Sequence, residues 1–311
     1  MPELGFFGKI PAKGDFVRHN VTDDAARSFE QWVQEAYDGL RGAGADLPAH
    51  PVRAVFTPPG SQRTVVATMV PSQDQVGRQY PLVIFALTDA GQTASHFSVM
   101  PVAWSPFLDA AVALAQRAAQ MDLDAIEAAL KAIPAPSGEE LGRAQQMADQ
   151  LLGHPLAPEL HGRLFGDGSQ MHFYAYQTFL TACEGATKND PGKAATVLDC
   201  PIHVDVDLFV WLELARRVFG FPPAHPSYFW LEDPSPRLLL SLGSAPLGVL
   251  QFLAKPDMDN QRLWPLTTER DKAVEAARGT LEPALAQVGD DAPLRGWMET
   301  LAQRATGGTA R

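Results

Sequence analysis

The sequence predicts a layered α/β protein with a helical middle segment and a helical extension at its C-terminal end. Three observations lead to this fold class. In the first third of the chain, short apolar segments that suit strands alternate with a segment of helical periodicity. From Phe107 onward the sequence becomes rich in alanine and favours helix. Two more helical segments follow Pro265. Strands interleaved with amphipathic helices are typical of a layered arrangement.

Four strands and one helix are predicted in the first third. The helix is capped by Thr22 or Asp23 and runs to about Leu40, because apolar residues recur along it at helical spacing. The turn Pro58-Pro59-Gly60 joins two strands into a hairpin. The last strand is almost continuously apolar, as in strands buried on both faces of a sheet. The predicted strands are residues 4–10, 52–56, 64–70 and 82–87, and the apolar face of the helix is Phe29, Trp32, Val33, Ala36 and Leu40.

The remaining two thirds alternate between helices and a second group of strands. Residues 153–169 carry several prolines and glycines and are predicted to be loop. The predicted helices are residues 110–121, 124–133, 139–152, 171–182, 207–219, 268–288 and 294–304, and the predicted strands are residues 195–199, 228–231 and 238–242.

Composition narrows the class of function. The chain has 311 residues, of which 46% are hydrophobic and 20% charged, as in ordinary globular proteins. A net charge of −11 argues against non-specific binding to nucleic acid or to an anionic membrane. Two cysteines are too few for a disulfide framework or a four-cysteine zinc site. No signal peptide and no membrane-spanning apolar run is recognisable, so we expect a cytoplasmic protein without membrane insertion.

Two stretches of the sequence are the most distinctive. The first is GFFGKIPAKGDFVR at residues 5–18, and the second is PSQDQVGRQYPLVIF at residues 71–85. Each joins an apolar strand to a loop rich in glycine, proline and charge. Neither contains G-x-x-x-x-G-K-[ST] or G-x-G-x-x-G, so the glycines do not indicate a nucleotide-binding loop. Loops held at the ends of strands are common positions for recognition residues.

These two stretches resemble the TagF family, also called ImpM, whose members are accessory proteins encoded with bacterial type VI secretion systems. The family opens on a Gly-Phe-Gly-Lys-Leu-Pro-Ala-(Arg/Lys)-Gly-Asp-Phe-like run and continues with Ser-x-Asp-x-Val-Gly-Arg-x-(Phe/Tyr)-Pro-Leu. Both motifs occur here in order, and the resemblance extends over roughly the first 255 residues. It implies a layered αβα sandwich without enzymatic activity and without a cofactor. It also implies a post-translational repressor that acts through the forkhead-associated scaffold protein of the same system.

The resemblance divides the predicted elements into three parts. Residues 1–130 are predicted as a TagF-like N-terminal α/β domain. Residues 131–265 are predicted as the helical and α/β remainder of the TagF-like region, whose helices either pack on the same sheet or form a domain of their own. Residues 266–311 form a C-terminal helical extension that lies outside the resemblance.

The charged residues of the two motif loops are the candidate partner-binding site. If the strands that begin at Leu4 and Leu82 lie side by side, the loops meet, and Arg78 would pair with Asp15 or Asp74. An internal salt bridge that joins the loops and a docking surface for a partner protein both fit this pattern. The candidate residues are Lys9, Lys13, Asp15, Arg18, Asp74, Gly77 and Arg78.

Two other functions fit the same loops. One is a phosphate-handling hydrolase that uses residues 8–15 and 74–78, and the other is a structural assembly subunit of the secretion machine. No catalytic motif such as H-E-x-x-H or G-x-S-x-G occurs. The run His203-Val204-Asp205-Val206-Asp207 has the alternation of a metal site, but helix capping explains it better, with Asp205 at the N-cap and Asp207 in the first turn. No metal site is predicted.

Overall fold

The computed structural model describes residues 3–188, 196–219, 225–232, 235–256, 258 and 260–305. Its strands are β1 (Glu3–Gly8), β2 (Val17–His19), β3 (Val52–Phe56), β4 (Arg63–Val70), β5 (Leu82–Asp89), β6 (Thr196–Pro201), β7 (Ser227–Leu231), β8 (Arg237–Leu242) and β9 (Leu263–Pro265). Its α-helices are α1 (Asp24–Gly42), α2 (Ala90–Ser95), α3 (Met100–Ala103), α4 (Ser105–Arg117), α5 (Leu123–Leu130), α6 (Gly138–Leu151), α7 (Ala157–Phe165), α8 (Met171–Lys188), α9 (Asp205–Phe219), α10 (Val249–Ala254), α11 (Asp271–Leu285) and α12 (Leu294–Ala305).

The nine strands form one sheet, in the order β2-β1-β5-β4-β3-β7-β8-β6-β9. Every neighbouring pair is antiparallel except β6 with β9, which is parallel. The predicted hairpin is present as β3 and β4. The predicted neighbours β1 and β5 lie side by side, with Gly8 opposite Leu82. The end of β1 and the start of β5 therefore meet at the same end of the sheet.

Both faces of the sheet are buried, which makes the molecule a three-layer αβα sandwich. Alternate residues of β5 enter opposite cores: Ile84 packs in one core and Phe85 in the other. The first core is covered by the helical segments α3 to α9 together with α11 and α12. The second is covered by α1 and α10. The predicted α/β fold class, with its helical middle segment and C-terminal helices, is confirmed.

Helix α1 has the N-cap and the apolar face that its sequence predicts. The Asp23 side chain accepts a hydrogen bond from the Ala25 amide at 2.8 Å, so the predicted N-cap is present. The predicted apolar face is buried, and the Trp32 indole donates to the Ala245 carbonyl at 2.9 Å. That hydrogen bond links α1 to the segment that precedes α10.

Some elements differ from our predictions. Residues 153–169 are not all loop, because α7 lies within them. Pro158 occupies its first turn, where a missing amide costs nothing, and Gly166 ends it with a φ of +88°. Elements without strong periodicity, namely β2, β9, α2, α3 and α10, were not predicted. Residue 195, which we placed in a strand, lies outside the described residues.

The start of α9 also differs from our prediction. Asp205 is the first helical residue and is exposed, so it is not the N-cap. The capping role belongs to the buried Asp207, whose Oδ2 accepts from the amides of His203 at 2.7 Å and Val204 at 3.1 Å. Its Oδ1 accepts from Arg163 at 2.7 Å. The aspartates of this run thus serve the helix terminus, as a capping role requires.

The C-terminal helices are part of the main core. Helix α12 contributes Trp297, which is buried against His161 of α7 and donates from its indole nitrogen to the Gly289 carbonyl at 3.1 Å. No single helix of the described residues is long and apolar enough to cross a membrane. One bent pair, Phe97–Ala103 with Ser105–Gln120, passes that test by length and composition.

We predict that Trp297→Ala lowers the free energy of unfolding by about 3–5 kcal/mol, because it leaves a cavity where a large buried side chain packed. Urea denaturation followed by circular dichroism measures the change. Met147→Ala is the matched control: that side chain is 65% exposed, and its loss is expected to change stability by no more than about 0.5 kcal/mol. Equal stability of the two variants would contradict the packing of α12 into the core.

Candidate functional site

The candidate site consists of two loops at one end of the sheet. Loop 1 comprises residues 9–16, between β1 and β2, and loop 2 comprises residues 71–81, between β4 and β5. The pairing of β1 with β5 brings the loops together. At their base, Gly8 has a φ of +131°, and a Cβ there would lie 2.0 Å from the Pro81 carbonyl oxygen. Only glycine fits this position.

Loop 2 folds around the Asp74 side chain. The Asp74 carbonyl accepts from the Gly77 amide at 3.0 Å, and the Asp74 amide donates to the Arg78 carbonyl at 3.1 Å. The carboxylate accepts from the amides of Val76 at 3.1 Å and Arg78 at 2.8 Å. Gly77 takes a φ of +84°, which suits glycine in a tight turn. Asp74 is therefore the internal ligand that shapes this turn.

The same carboxylate binds two cations through one of its oxygens. The Lys9 ammonium of loop 1 lies 3.0 Å from Asp74 Oδ2, and the Arg78 Nε lies 2.7 Å from that oxygen. Arg78 also donates to the Gly14 carbonyl, so it joins loop 2 to loop 1. Asp74 is only 2% exposed. We call Lys9, Asp74 and Arg78 the Asp74 cluster.

The cluster keeps Asp74 ionised. Burial raises the pKa of Asp74, but the hydrogen bonds from the Arg78 amide, the Lys9 ammonium, the Arg78 guanidinium and the Val76 amide outweigh that effect. The pKa of the Asp74 carboxyl is consequently held well below its usual range. The Lys9 ammonium is itself buried and lies 5.3 Å from the centre of the Phe16 ring, within range of a cation–π contact.

Backbone contacts complete the junction between the loops. The Gln75 amide donates to the Lys13 carbonyl at 2.9 Å, and the Ser72 hydroxyl donates to the Lys9 carbonyl at 2.8 Å. The Phe16 ring packs edge-on against Tyr80, with 4.6 Å between the ring centroids. The two loops therefore act as one unit, which we call the paired loops.

The structure brings together three of the seven candidate side chains and separates the others. Lys9, Asp74 and Arg78 form the cluster. Lys13 and Asp15 are exposed, and within the described residues neither side chain has a hydrogen-bond or ion-pair partner. Arg18 pairs instead with Glu30 of α1, at 2.5 Å. Gly77 contributes its backbone. Of the two partners considered for Arg78, Asp74 is the one observed.

Sequence reasoning missed two apolar members of this surface. Phe16 of loop 1 is 44% exposed and Val76 of loop 2 is 71% exposed, although large apolar side chains are usually buried. Both lie inside the motifs, next to charged residues that drew attention first. The turn pattern around Asp74 and Gly77 would have indicated that Val76 lies at an exposed tip.

The geometry also bears on the hydrolase alternative. A phosphate-binding loop needs cations and amides that point toward an open space. Here the Lys9 ammonium is committed to Asp74, and the Val76 and Arg78 amides donate to the Asp74 carboxylate. These groups are already satisfied by an internal anion, which counts against that alternative. Among the described residues, no group of three or more His, Cys, Asp or Glu side chains is placed to hold a metal ion.

Two histidines that lie apart in sequence meet elsewhere in the molecule. His161 of α7 and His172 of α8 stack with 4.1 Å between ring centroids, beside a cavity of about 570 Å³. His161 Nε2 lies 2.9 Å from the Tyr176 hydroxyl. Burial, reinforced by His172, lowers the pKa of His161 to about 3. Burial lowers the pKa of His172 as well, and the pair belongs to the packing between α7, α8 and α12.

We predict that Asp74→Asn destabilises the protein at pH 7, because it leaves the buried Lys9 ammonium without its counter-charge. The folded-state pKa of Asp74 is depressed, so its stabilisation is present above the unfolded pKa of about 3.9 and is lost as pH falls through the folded value. The urea midpoint of the variant should therefore lie below that of the wild type at pH 7, and the gap should narrow below about pH 4.

Asp15→Asn is the control for this measurement, since Asp15 is exposed and unpaired among the described residues. Its midpoint should follow that of the wild type at each pH. A gap between wild type and Asp74→Asn that stayed constant down to acidic pH would show that the charge of Asp74 is not what stabilises the paired loops.

Comparison with known proteins gives one family. Residues 5–133 match the model of the TagF N-terminal domain, described as type VI secretion system-associated. The matched segment contains both motifs and the paired loops. It is shorter than the stretch of roughly 255 residues over which the motifs suggested a resemblance. No protein of curated function matches the chain.

Among solved structures, the crystal structure of PA0076 from Pseudomonas aeruginosa PAO1 is similar to this chain. The TM-score is 0.47 and the sequence identity is 15%, over 85% of this chain and 99% of that one. A likeness at this level carries no functional information.

Proposed function

We propose a function from two facts: this chain belongs, through residues 5–133, to the TagF family of type VI secretion system-associated proteins, and its paired loops present an exposed surface. The chain is a cytoplasmic, non-enzymatic accessory protein that represses its secretion system after translation. It does so by binding the forkhead-associated scaffold protein of the same system. The paired loops are the docking surface.

The observation that carries this proposal is that some residues of the paired loops hold the loops together while others are exposed to solvent. The Asp74 cluster satisfies its own charges and fixes the loops to each other. Phe16 and Val76 are left exposed, next to the unpaired charges of Lys13 and Asp15. Exposed apolar side chains bordered by charges are typical of protein–protein contact sites. A surface held in place before binding also loses less entropy when a partner docks.

We predict that the double variant Lys13→Glu, Val76→Asp lowers capture of the scaffold protein by at least about tenfold, since it reverses a charge and places a carboxylate in the apolar contact. Neither side chain supports the fold by a described contact, so thermal stability should be unchanged. The assay is a pull-down with tagged protein from the native bacterium, in which mass spectrometry quantifies the forkhead-associated protein.

Lys131→Glu with Met147→Asp is the matched control, because it makes the same two changes at exposed positions outside the paired loops. It should retain wild-type capture. Equal capture by both double variants would remove the paired loops from the interface. Recovery of sheath or baseplate components instead of the scaffold would favour the assembly-subunit role. Recovery of no partner would return attention to the hydrolase alternative.

A further inference from the structure

Within the described part of the chain, the edge of the sheet beside the paired loops is open. Strand β2 is the first in the sheet order and pairs on one side only, with β1. Among the described residues, no strand, helix or loop backbone hydrogen-bonds to the backbone of Arg18. An unpaired strand edge of this kind is a template on which another strand can form. Phe16, at the end of loop 1, comes directly before β2.

The geometry identifies which residue of β2 faces outward. In an antiparallel ladder, the backbone amide and carbonyl of one residue point toward the partner strand, and those of the next residue point away from it. The His19 carbonyl oxygen lies 2.6 Å from where a Cβ of Gly5 would be, so the backbone carbonyl of His19 points toward β1. The Asn20 side chain donates to the Leu4 carbonyl at 2.7 Å, which places the Leu4 carbonyl on the β2 side. The amide and carbonyl of Arg18 therefore point away from the sheet.

From this edge we infer how the partner binds: an extended segment of the partner protein adds to the sheet as a strand beside β2 and exchanges hydrogen bonds with the backbone of Arg18. This inference rests on the proposed function, because it specifies how the partner engages the same end of the molecule. Strand addition supplies affinity through the main chain and specificity through alternate side chains.

Side chains beside the edge indicate what the segment contains. Phe16 and Arg18 are two positions apart, so both side chains project on the α1 face of the sheet, where Phe16 contacts Tyr80 and Arg18 contacts Glu30. The Arg18 side chain is 58% exposed, and among the described residues only its Nε donates, to Glu30, so its other donors can bind a second carboxylate. The matching segment therefore carries an acidic residue opposite Arg18 and an apolar residue two positions away, against Phe16.

The same charges disfavour a second copy of this chain as the occupant. A two-fold pairing of β2 with β2 centred on its outward-facing residue would place Arg18 directly opposite Arg18. Like charges that face each other across a strand pair destabilise it. The edge is better suited to a heterologous strand than to self-association.

Two substitutions of Arg18 distinguish the contribution of its backbone to binding from that of its side chain. We predict that Arg18→Pro lowers affinity for the scaffold protein by about tenfold or more, because proline removes the outward amide and its ring obstructs an added strand. The ladder to β1 does not use that amide and should persist. Arg18→Ala keeps the amide and loses only a rim charge, so its affinity should fall by no more than about threefold. Biolayer interferometry with purified scaffold protein measures both.

Hydrogen–deuterium exchange of the wild type provides a readout that needs no variant. The Arg18 amide should exchange rapidly in the free protein and become protected when the scaffold protein is bound. Absence of protection, unchanged binding by Arg18→Pro, or equal losses in both variants would overturn strand addition. So would a dimer of the free protein, seen by analytical ultracentrifugation, that Arg18→Pro abolishes.

The proposed function fails in a different way from this inference. If the scaffold protein does not bind the wild type, the proposed function is wrong. If it binds and the Lys13→Glu, Val76→Asp variant does not bind, while Arg18→Pro binds normally, the docking surface is right and the strand addition is wrong.

Discussion

The contact between the Asp74 carboxylate and the Lys9 ammonium is the interaction on which the rest of the candidate site depends. Two loops from distant parts of the chain meet here, and their other links are hydrogen bonds to backbone carbonyls and the packing of Phe16 on Tyr80. A buried carboxylate that is fully hydrogen-bonded gives them a fixed relative position. Removing the charge of Asp74 would leave the Lys9 ammonium buried without a counter-charge, which costs more than the pair gains. The loops are therefore coupled, and the exposed residues they carry keep a defined arrangement.

The sheet places that contact where it can act. β1 and β5 are neighbours and antiparallel, so the loop that follows β1 and the loop that precedes β5 emerge together. Because Gly8 has no side chain, its backbone can pass close to the backbone of Pro81 at that point. Because β1 is the second strand from the edge, the same loop also leads into β2, the open edge. The paired loops and the sheet edge are thus adjacent because of the order of the strands.

Much of the fold was predictable from the sequence, because buried faces of helices and strands require apolar residues at regular spacings. β5 is apolar at nearly every position since both of its faces are covered, and α1 is apolar every third or fourth residue since only one face is. Short elements contain too few residues to show such a spacing. β2 has three residues and is a strand because β1 pairs with it, not because its sequence favours one. Pro158 of α7 was misread for a related reason, since proline both breaks a helix and suits its first turn.

The candidate site was predictable in its charged residues and not in their partners. The motifs drew attention to Lys9, Asp74 and Arg78, but sequence order does not show which carboxylate a cation will reach, and Arg18 pairs with Glu30 on α1. Their exposure was also not predictable: Phe16 and Val76 are of apolar types that usually lie in a core, yet both are exposed in the structure. The charged residues Lys9, Asp74 and Arg78 hold the paired loops together. In the binding mode that we propose, the exposed side chains of Phe16 and Val76 and the backbone of Arg18 contact the partner.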